Sequence, residues 1–449
     1  MNEINDMLRE QKKQAWVHIE AALGLSDVDL EKSAYLSKAI ERIGDTSNAK
    51  LLLQLLLIYA TSGLSLKAIA ICAYMMNAVN VSDEAWRQRF SKCSEWLFFL
   101  LHTALRSIAL TTLVFCHDSE NKQVYLIDAT TFKQVGKNGK ELRVHMCYNL
   151  TKGAMEEIVV TDNHTAESTK HFTIKPGNLY MADAGYGKGV NMEYVSSRDG
   201  YALFRISPNL VQFSSDSKGK NLIDMEKKLK GKKKLLNFQC FVHTSEGCYI
   251  PVRVIASKLP EDKALLAMER KRRNASKKQT QVKEATLVYC QWVILMTNVP
   301  ENHTAKSLLQ LYRSRWQIEL LFKRIKQFLG IKRLKKANLQ LSKVLVMLWI
   351  LIWSAIERKS LELEIRLIKQ GEDMQRYSPW VTSMLLINQF ETMLNSFWAF
   401  SLELSQNLTD IYRLMRNHKS SRRNQYADFR FACPFALASH QSMSEHRAA

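Results

Sequence analysis

The segment LYRSRWQIELLFKRIKQFLGIKRL, residues 311–334, sets one carboxylate among cations and a phenol. Its periodicity predicts a single helix. At about 100° per residue, Tyr312, Arg315, Glu319, Lys323 and Lys326 then fall in a stripe roughly 80° wide. A helix that only packs would carry apolar residues on such a stripe. Glu319 can ligate a divalent cation, and the guanidinium, ammonium and phenol groups can hold phosphate oxygens. The competing reading is an amphipathic helix with a solvated basic face.

Two further acids have settings that ask for a partner. Asp128 interrupts the apolar run VYLIDATTF, where β-propensity argues against an aspartate. A carboxylate buried there is costly unless it is paired or metal-bound. Asp183, in LYMADAGYG, ends an apolar strand just before a glycine-bearing loop, the place where α/β sheets bind ligands. Three carboxylates on separate elements suffice to hold two metal ions, one activating an attacking oxygen and one stabilising a leaving oxygen. Oxygen donors suit Mg²⁺ or Mn²⁺ and do not choose between them. The plain alternatives are an aspartate that closes a strand and another that makes a turn.

The elements that must position these residues read as follows. Residues 1–115 are helical, with apolar residues at three- and four-residue spacing over 30–43, 51–60 and 65–76. Ser82-Asp83-Glu84 is a helix start, so residues 65–90 read helix, short turn, helix. The second of these helices, SDEAWRQRFSK, is expected to expose Arg87, Arg89 and Lys92, either to DNA or as the outside of a packed bundle. From about residue 120 the period becomes strand-like. VYLIDATTF, LRVHMCYNL and EEIVVTD form three strands, with a turn at Gly136 to Gly139 between the first two. LYMADAGYG, a helix over 190–197 and a strand over 201–206 complete a first core segment, 120–209. Residues 210–300 read as a mainly β insertion with basic loops at 225–235 and 268–283. The core resumes over 301–360 with the signature helix, closed by Gly330, and an apolar helix over 339–358. Residues 361–449 carry a helix over 379–416, a basic piece over 416–423 and a disordered tail.

The spacing Y-x2-R-x3-E-x6-K resembles the signature of the "IS-four" family of bacterial insertion-sequence transposases, which are DDE enzymes. Asp128 matches the family's first acid and Glu319 its third. Asp183 matches its second, followed by a glycine and an aromatic as Gly185 and Tyr186 are here. Tyr312, Arg315 and Lys326 complete the signature, and Lys323 stands where some members carry a second lysine. Ala184 departs from the arginine that many members have. The resemblance covers roughly residues 60–340. It implies an α/β (α+β) fold: a ribonuclease-H-like catalytic core, whose strand and helix order the chain matches, with an inserted mainly-β subdomain and flanking helical regions. It implies two Mg²⁺ or Mn²⁺ ions held by Asp128, Asp183 and Glu319, and cut-and-paste transposition through a hairpin intermediate. It also implies that the N-terminal helices bind end DNA, and that an aromatic of the insertion stacks an unpaired base. Trp292 is the expected aromatic. A catalytically inactive DNA-binding derivative and a metal-dependent nuclease without strand transfer stand as alternatives.

Composition agrees with a polyanionic partner. Lys and Arg number 64 against 43 Asp and Glu, a net charge of +21, which favours nucleic acid, with a membrane surface as runner-up; the resemblance implies double-stranded DNA, both inverted-repeat ends and target. Pairing two ends predicts a homodimer on DNA. The N-terminus is polar, and the longest apolar run, 344–353, is too short to span a bilayer. No zinc spacing joins the eight cysteines. These features predict a bacterial cytoplasmic protein with reduced thiols and no membrane partner.

Overall fold

The computed structural model describes residues 2–41, 48–76, 81–113, 123–133, 141–152, 154–244, 247–328, 337–371 and 378–399. The expected turn at Gly136 to Gly139, the Gly330 cap, the basic piece at 416–423 and the C-terminal tail lie outside these residues.

Six helices come first: α1 (Asn2–Leu23), α2 (Leu30–Leu36), α3 (Ala49–Thr61), α4 (Leu66–Met75), α5 (Asp83–Lys92) and α6 (Ser94–Leu113). Short polar side chains start four of them. Asp29, Asn48, Ser65 and Ser82 each accept a hydrogen bond from a first-turn N–H, which satisfies a donor that the helix cannot. The strands follow: β1 (Val124–Lys133), β2 (Glu141–Asn149), β3 (Ala154–Asp162) and β4 (Leu179–Ala182), then α7 (Gly189–Ser196) and β5 (Tyr201–Arg205). Next come β6 (Phe213–Ser214), α8 (Met225–Leu229), β7 (Leu235–His243), β8 (Tyr249–Lys258), α9 (Glu261–Lys277), α10 (Glu284–Cys290) and β9 (Trp292–Thr297). The chain continues through α11 (Ala305–Tyr312), α12 (Trp316–Phe328), α13 (Leu339–Lys369) and α14 (Pro379–Ala399).

All the described strands join one sheet in the order β3-β2-β1-β4-β5-β9-β8-β7-β6. The β1–β4 and β4–β5 pairs are parallel and the rest antiparallel. Because side chains alternate along a strand, β1 supplies Leu126 to one core and Tyr125 and Ile127 to the other. The Leu126 face meets the helices. The opposite face packs Tyr180, Ala202 and Phe204 against Met192 and Val195 of α7. A sheet covered on both sides explains why its central strands read as apolar runs.

Several elements depart from the sequence reading. The second basic stretch lies largely in α9, and the first holds the short α8, so neither is simply a loop. The run ATLVYCQWVILMT divides into α10 and β9. The signature is not one helix: a 3₁₀ turn, Arg313–Arg315, separates α11 from α12. A 3₁₀ turn winds about 120° per residue, so the five signature residues leave the single stripe. The apolar run at 344–353 belongs to a helix of 31 residues, α13, which is long and apolar enough to cross a membrane. Its most apolar window is 78% buried inside the protein, against helices that include α1, α3, α5, α6 and α14. A buried core helix has this character. Of the six described cysteines, all free, Cys72, Cys93, Cys147 and Cys240 are buried.

One polar tie fixes α12 on α13. The Arg324 guanidinium lies 3.4 Å from the Glu357 carboxylate and 5.8 Å from the Trp353 ring centre. Both charges are largely removed from water, and burial raises the Glu357 carboxyl above its ordinary range. Removing one member strands the other. Arg324→Met is expected to lower stability by about 2 kcal/mol, read as a lower denaturant midpoint with an unchanged slope. An unchanged midpoint would mean that the pair does not anchor α12.

Candidate active site

Register brings the first two acids together. Parallel pairing sets Ile127 beside Ala182, so Asp128 and Asp183 come next on neighbouring strands. Asp128 shares its face of β1 with Leu126, and its side chain is only 13% exposed. Its Oδ1 accepts the Ala129 N–H at 2.7 Å. Burial, then the charge of Asp183, pushes the Asp128 carboxyl up to about 7 against the pull of Ala129 N–H and Arg315. Asp183 begins the loop after β4, and its Oδ1 accepts the Gly185 N–H at 2.9 Å.

The signature segment reaches both strand ends. The Tyr312 hydroxyl donates to the Ala182 carbonyl at 3.2 Å, immediately before Asp183. Arg315 Nη1 lies 3.6 Å from Asp128 Oδ2, while Nη2 of the same guanidinium pairs with Glu319 Oε1. Lys326 lies over the Phe132 ring, 5.5 Å from its centre, and burial lowers its ammonium from the ordinary lysine value while Asp128 opposes that. Lys323 is exposed on α12.

The donors suit a hard divalent cation, being carboxylate oxygens in a partly dry setting. One observation favours that fit: carboxylate oxygens of Glu167 and Asp183 crowd the point where a Cβ of residue 185 would stand. Buried Arg315 Nη1, 3.6 Å from Asp128 Oδ2, has no hydrogen-bond partner and so keeps a donor for an anion. Among the described residues no three His, Cys, Asp or Glu side chains form a ready metal group. Glu319 is instead engaged by Arg315.

Sequence reasoning missed one acid and one aromatic. A Cβ built on Gly185 would meet Glu167 Oε2 at 1.8 Å and Asp183 Oδ1 at 3.2 Å. Burial and then Asp183 raise the Glu167 carboxyl. The loop TDNHTAESTK that carries Glu167 has no periodicity to flag it, so only the glycine after Asp183 hinted at a close neighbour. Trp316 is 62% exposed, three residues before Glu319. A tryptophan in an amphipathic helix reads as core by default, which concealed it.

Other expectations need correction. Trp292 is only 2% exposed and belongs to the sheet's core cluster, so no base can stack on it here. Tyr312 is 9% exposed and spends its hydroxyl on Ala182, which makes it a structural tie and not a phosphate contact. Arg89 is not fully exposed: its guanidinium lies 5.1 Å from the Trp86 ring centre and burial lowers its pKa. Arg87 is partly exposed and bonded to Glu84. No direct contact joins Arg87 or Arg89 to the acids.

Behind the acids lies a buried aromatic relay. Tyr186, fully buried, has its hydroxyl 3.5 Å from His145 Nδ1. His145 Nε2 is 3.0 Å from Thr161 Oγ1, and the ring packs on His171 with centres 4.2 Å apart.

Comparison with known proteins gives the same direction. The family described as the transposase DDE domain matches residues 119–354, more than half of the chain. The InsL protein for insertion sequence element IS186A, from Escherichia coli (strain K12), is 27% identical over 336 residues, 73% of this chain and 89% of that one. The transposase for insertion sequence element IS421, from Escherichia coli, is 27% identical over 337 residues, with the same coverage.

The relay yields a pH prediction. Burial, then the charges of His171 and Arg143, lowers His145 from 6.5 to about 4. The unfolded chain therefore binds a proton at this residue first, so the His145 contribution to stability falls as pH drops from about 6.5 toward 4. His145→Gln is expected to flatten that part of the stability–pH curve. Curves of the same shape for both proteins would remove His145 as a buried neutral group.

Proposed function

This chain belongs to the DDE transposase family, and we propose that it moves an insertion sequence by cut-and-paste transposition through a hairpin intermediate. The observation that carries this reading is the reach of one short segment. Arg315 touches Asp128 and Glu319, and Tyr312 touches the carbonyl beside Asp183. The middle of β1, the end of β4 and the α11–α12 segment are thereby brought together.

The strand order β3-β2-β1-β4-β5, with only β1–β4 and β4–β5 parallel, supports a ribonuclease-H-like core over 120–209 and 301–360. Residues 210–300 are then its insertion, continuing the same sheet through β9. Residues 1–115 are the end-DNA-binding region, and the C-terminal region, 361–449, carries the end of α13 and α14 among its described residues.

Asp128, Asp183 and Glu319 would hold two Mg²⁺ or Mn²⁺ ions. When bound, such ions activate the attacking oxygen and stabilise the leaving one. The protein's own groups do the rest. Arg315 is poised to pass from the carboxylates to a phosphate, and Lys323 and Lys326 flank the same helix as further phosphate contacts. Water hydrolyses the phosphodiester at the element end. The freed 3′-OH attacks the opposite strand and closes a hairpin, which a second hydrolysis opens, and the 3′-OH then attacks target DNA. A base that leaves the stack eases the hairpin. Exposed Trp316 can receive it where buried Trp292 cannot. Two chains pair two ends, in the bacterial cytoplasm where the DNA lies.

The test is Mg²⁺-dependent processing of linear DNA that carries the element's inverted repeats. Wild type is expected to give nicked and hairpin products, and Glu319→Gln to bind the ends without cutting. Arg315→Ala should slow processing on the order of tenfold, about 1.4 kcal/mol. Trp316→Ala should nick normally and form hairpins slowly. Wild-type binding without cleavage would favour an inactive DNA-binding derivative. Nicking without hairpin or strand transfer would favour a nuclease.

A further inference from the structure

The loop between β3 and β4 holds an acid that the DDE signature does not include. Glu167 Oε2 and Asp183 Oδ1 lie 1.8 Å and 3.2 Å from the point where a Cβ of residue 185 would stand. The two oxygens are therefore no more than 5.0 Å apart. Ligand distances around Mg²⁺ are about 2.0–2.1 Å. A cation or its bound water fits between two oxygens at that spacing with little movement.

The fold fixes this approach from both sides of Glu167. Arg143 Nη1 donates to the Thr165 carbonyl at 2.7 Å, and the His171 ring Nε2 lies 3.0 Å from the Ala166 carbonyl. On the other side, the Asn191 side chain, 1% exposed, accepts the Thr169 N–H at 3.1 Å. The same Asn191 donates to the Tyr186 carbonyl at 2.9 Å. One buried amide thus ties the Glu167 loop to the Asp183 loop. Holding two carboxylates this close is electrostatically unfavourable without a cation to share, yet four side-chain bonds maintain it.

We propose that Glu167 is a fourth acid of this site, a carboxylate that shares with Asp183 the divalent cation bound there, directly or through a metal-bound water. The assignment rests on the metal-dependent reading above. It gives Gly185 a reason: any side chain at 185 would occupy the space that the Glu167 carboxylate fills. The obstructing atom is the end of a flexible side chain, so Gly185→Ala is expected to fold and to displace Glu167 from Asp183.

The test is Mn²⁺ binding to the full-length protein by titration calorimetry, without DNA and without turnover. Thermal unfolding by circular dichroism would check each variant's fold. Glu167→Gln and Gly185→Ala are each expected to weaken Mn²⁺ on the order of tenfold, with unchanged melting. Glu269→Gln, on the exposed face of α9, should bind as wild type. Wild-type affinity in both Glu167→Gln and Gly185→Ala, with binding lost in Asp183→Asn, would overturn the role of Glu167 and leave the metal site standing. Equal affinity in all of these proteins, Asp183→Asn included, would overturn the metal assignment of Asp183 as well.

Discussion

Two carboxylates set side by side, one in the middle of β1 and one just past the end of β4, repel each other, and a cation among them relieves the repulsion. Asp128 and Asp183 are set side by side by the β1–β4 register, and neither strand can slip without exposing an apolar face. The cation beside Asp128 is the Arg315 guanidinium, which also takes Glu319. The rest of the architecture follows from keeping this cluster assembled. The sheet fixes two acids, Tyr312 pins the signature segment to β4, and the Arg324–Glu357 pair holds α12 on the buried α13. Arg315 there competes with a metal ion for Asp128 and Glu319.

The loops around the cluster show the same economy of means. Asn191 joins two loops with one buried side chain, and His145 of β2 supports Tyr186. These groups touch no reacting atom. They restrict where the Asp183 loop can go, which preorganises its acid.

Much of this was legible in the sequence, and for identifiable reasons. Asp128 stood out because a charged residue in an apolar strand has to be explained, and Asp183 because a glycine-bearing loop follows it. The capped helices and the strands β1 to β5 were visible through period and turn chemistry. The signature was legible as a set of residue types but not as a shape. A 3₁₀ turn carries no composition cue, so Tyr312 was expected on a DNA-facing stripe when it is buried. The basic tracts were read as loops because charge conceals helical period, although α9 is helical over most of its run. Trp292, the expected stacking aromatic, is buried while Trp316 is exposed, because local pattern does not say which tryptophan the fold covers. Glu167 was invisible, since its neighbour Asp183 is near only in space.

The central claim is that Asp128, Asp183 and Glu319 form one cation site from which Arg315 must withdraw. The most direct measurement is anomalous scattering from crystals of the protein bound to its DNA end in Mn²⁺. The account predicts manganese peaks among the three carboxylates, with the Arg315 guanidinium moved onto a phosphate. Crystals with bound DNA, no manganese at these acids and Arg315 still bridging Asp128 and Glu319 would contradict it.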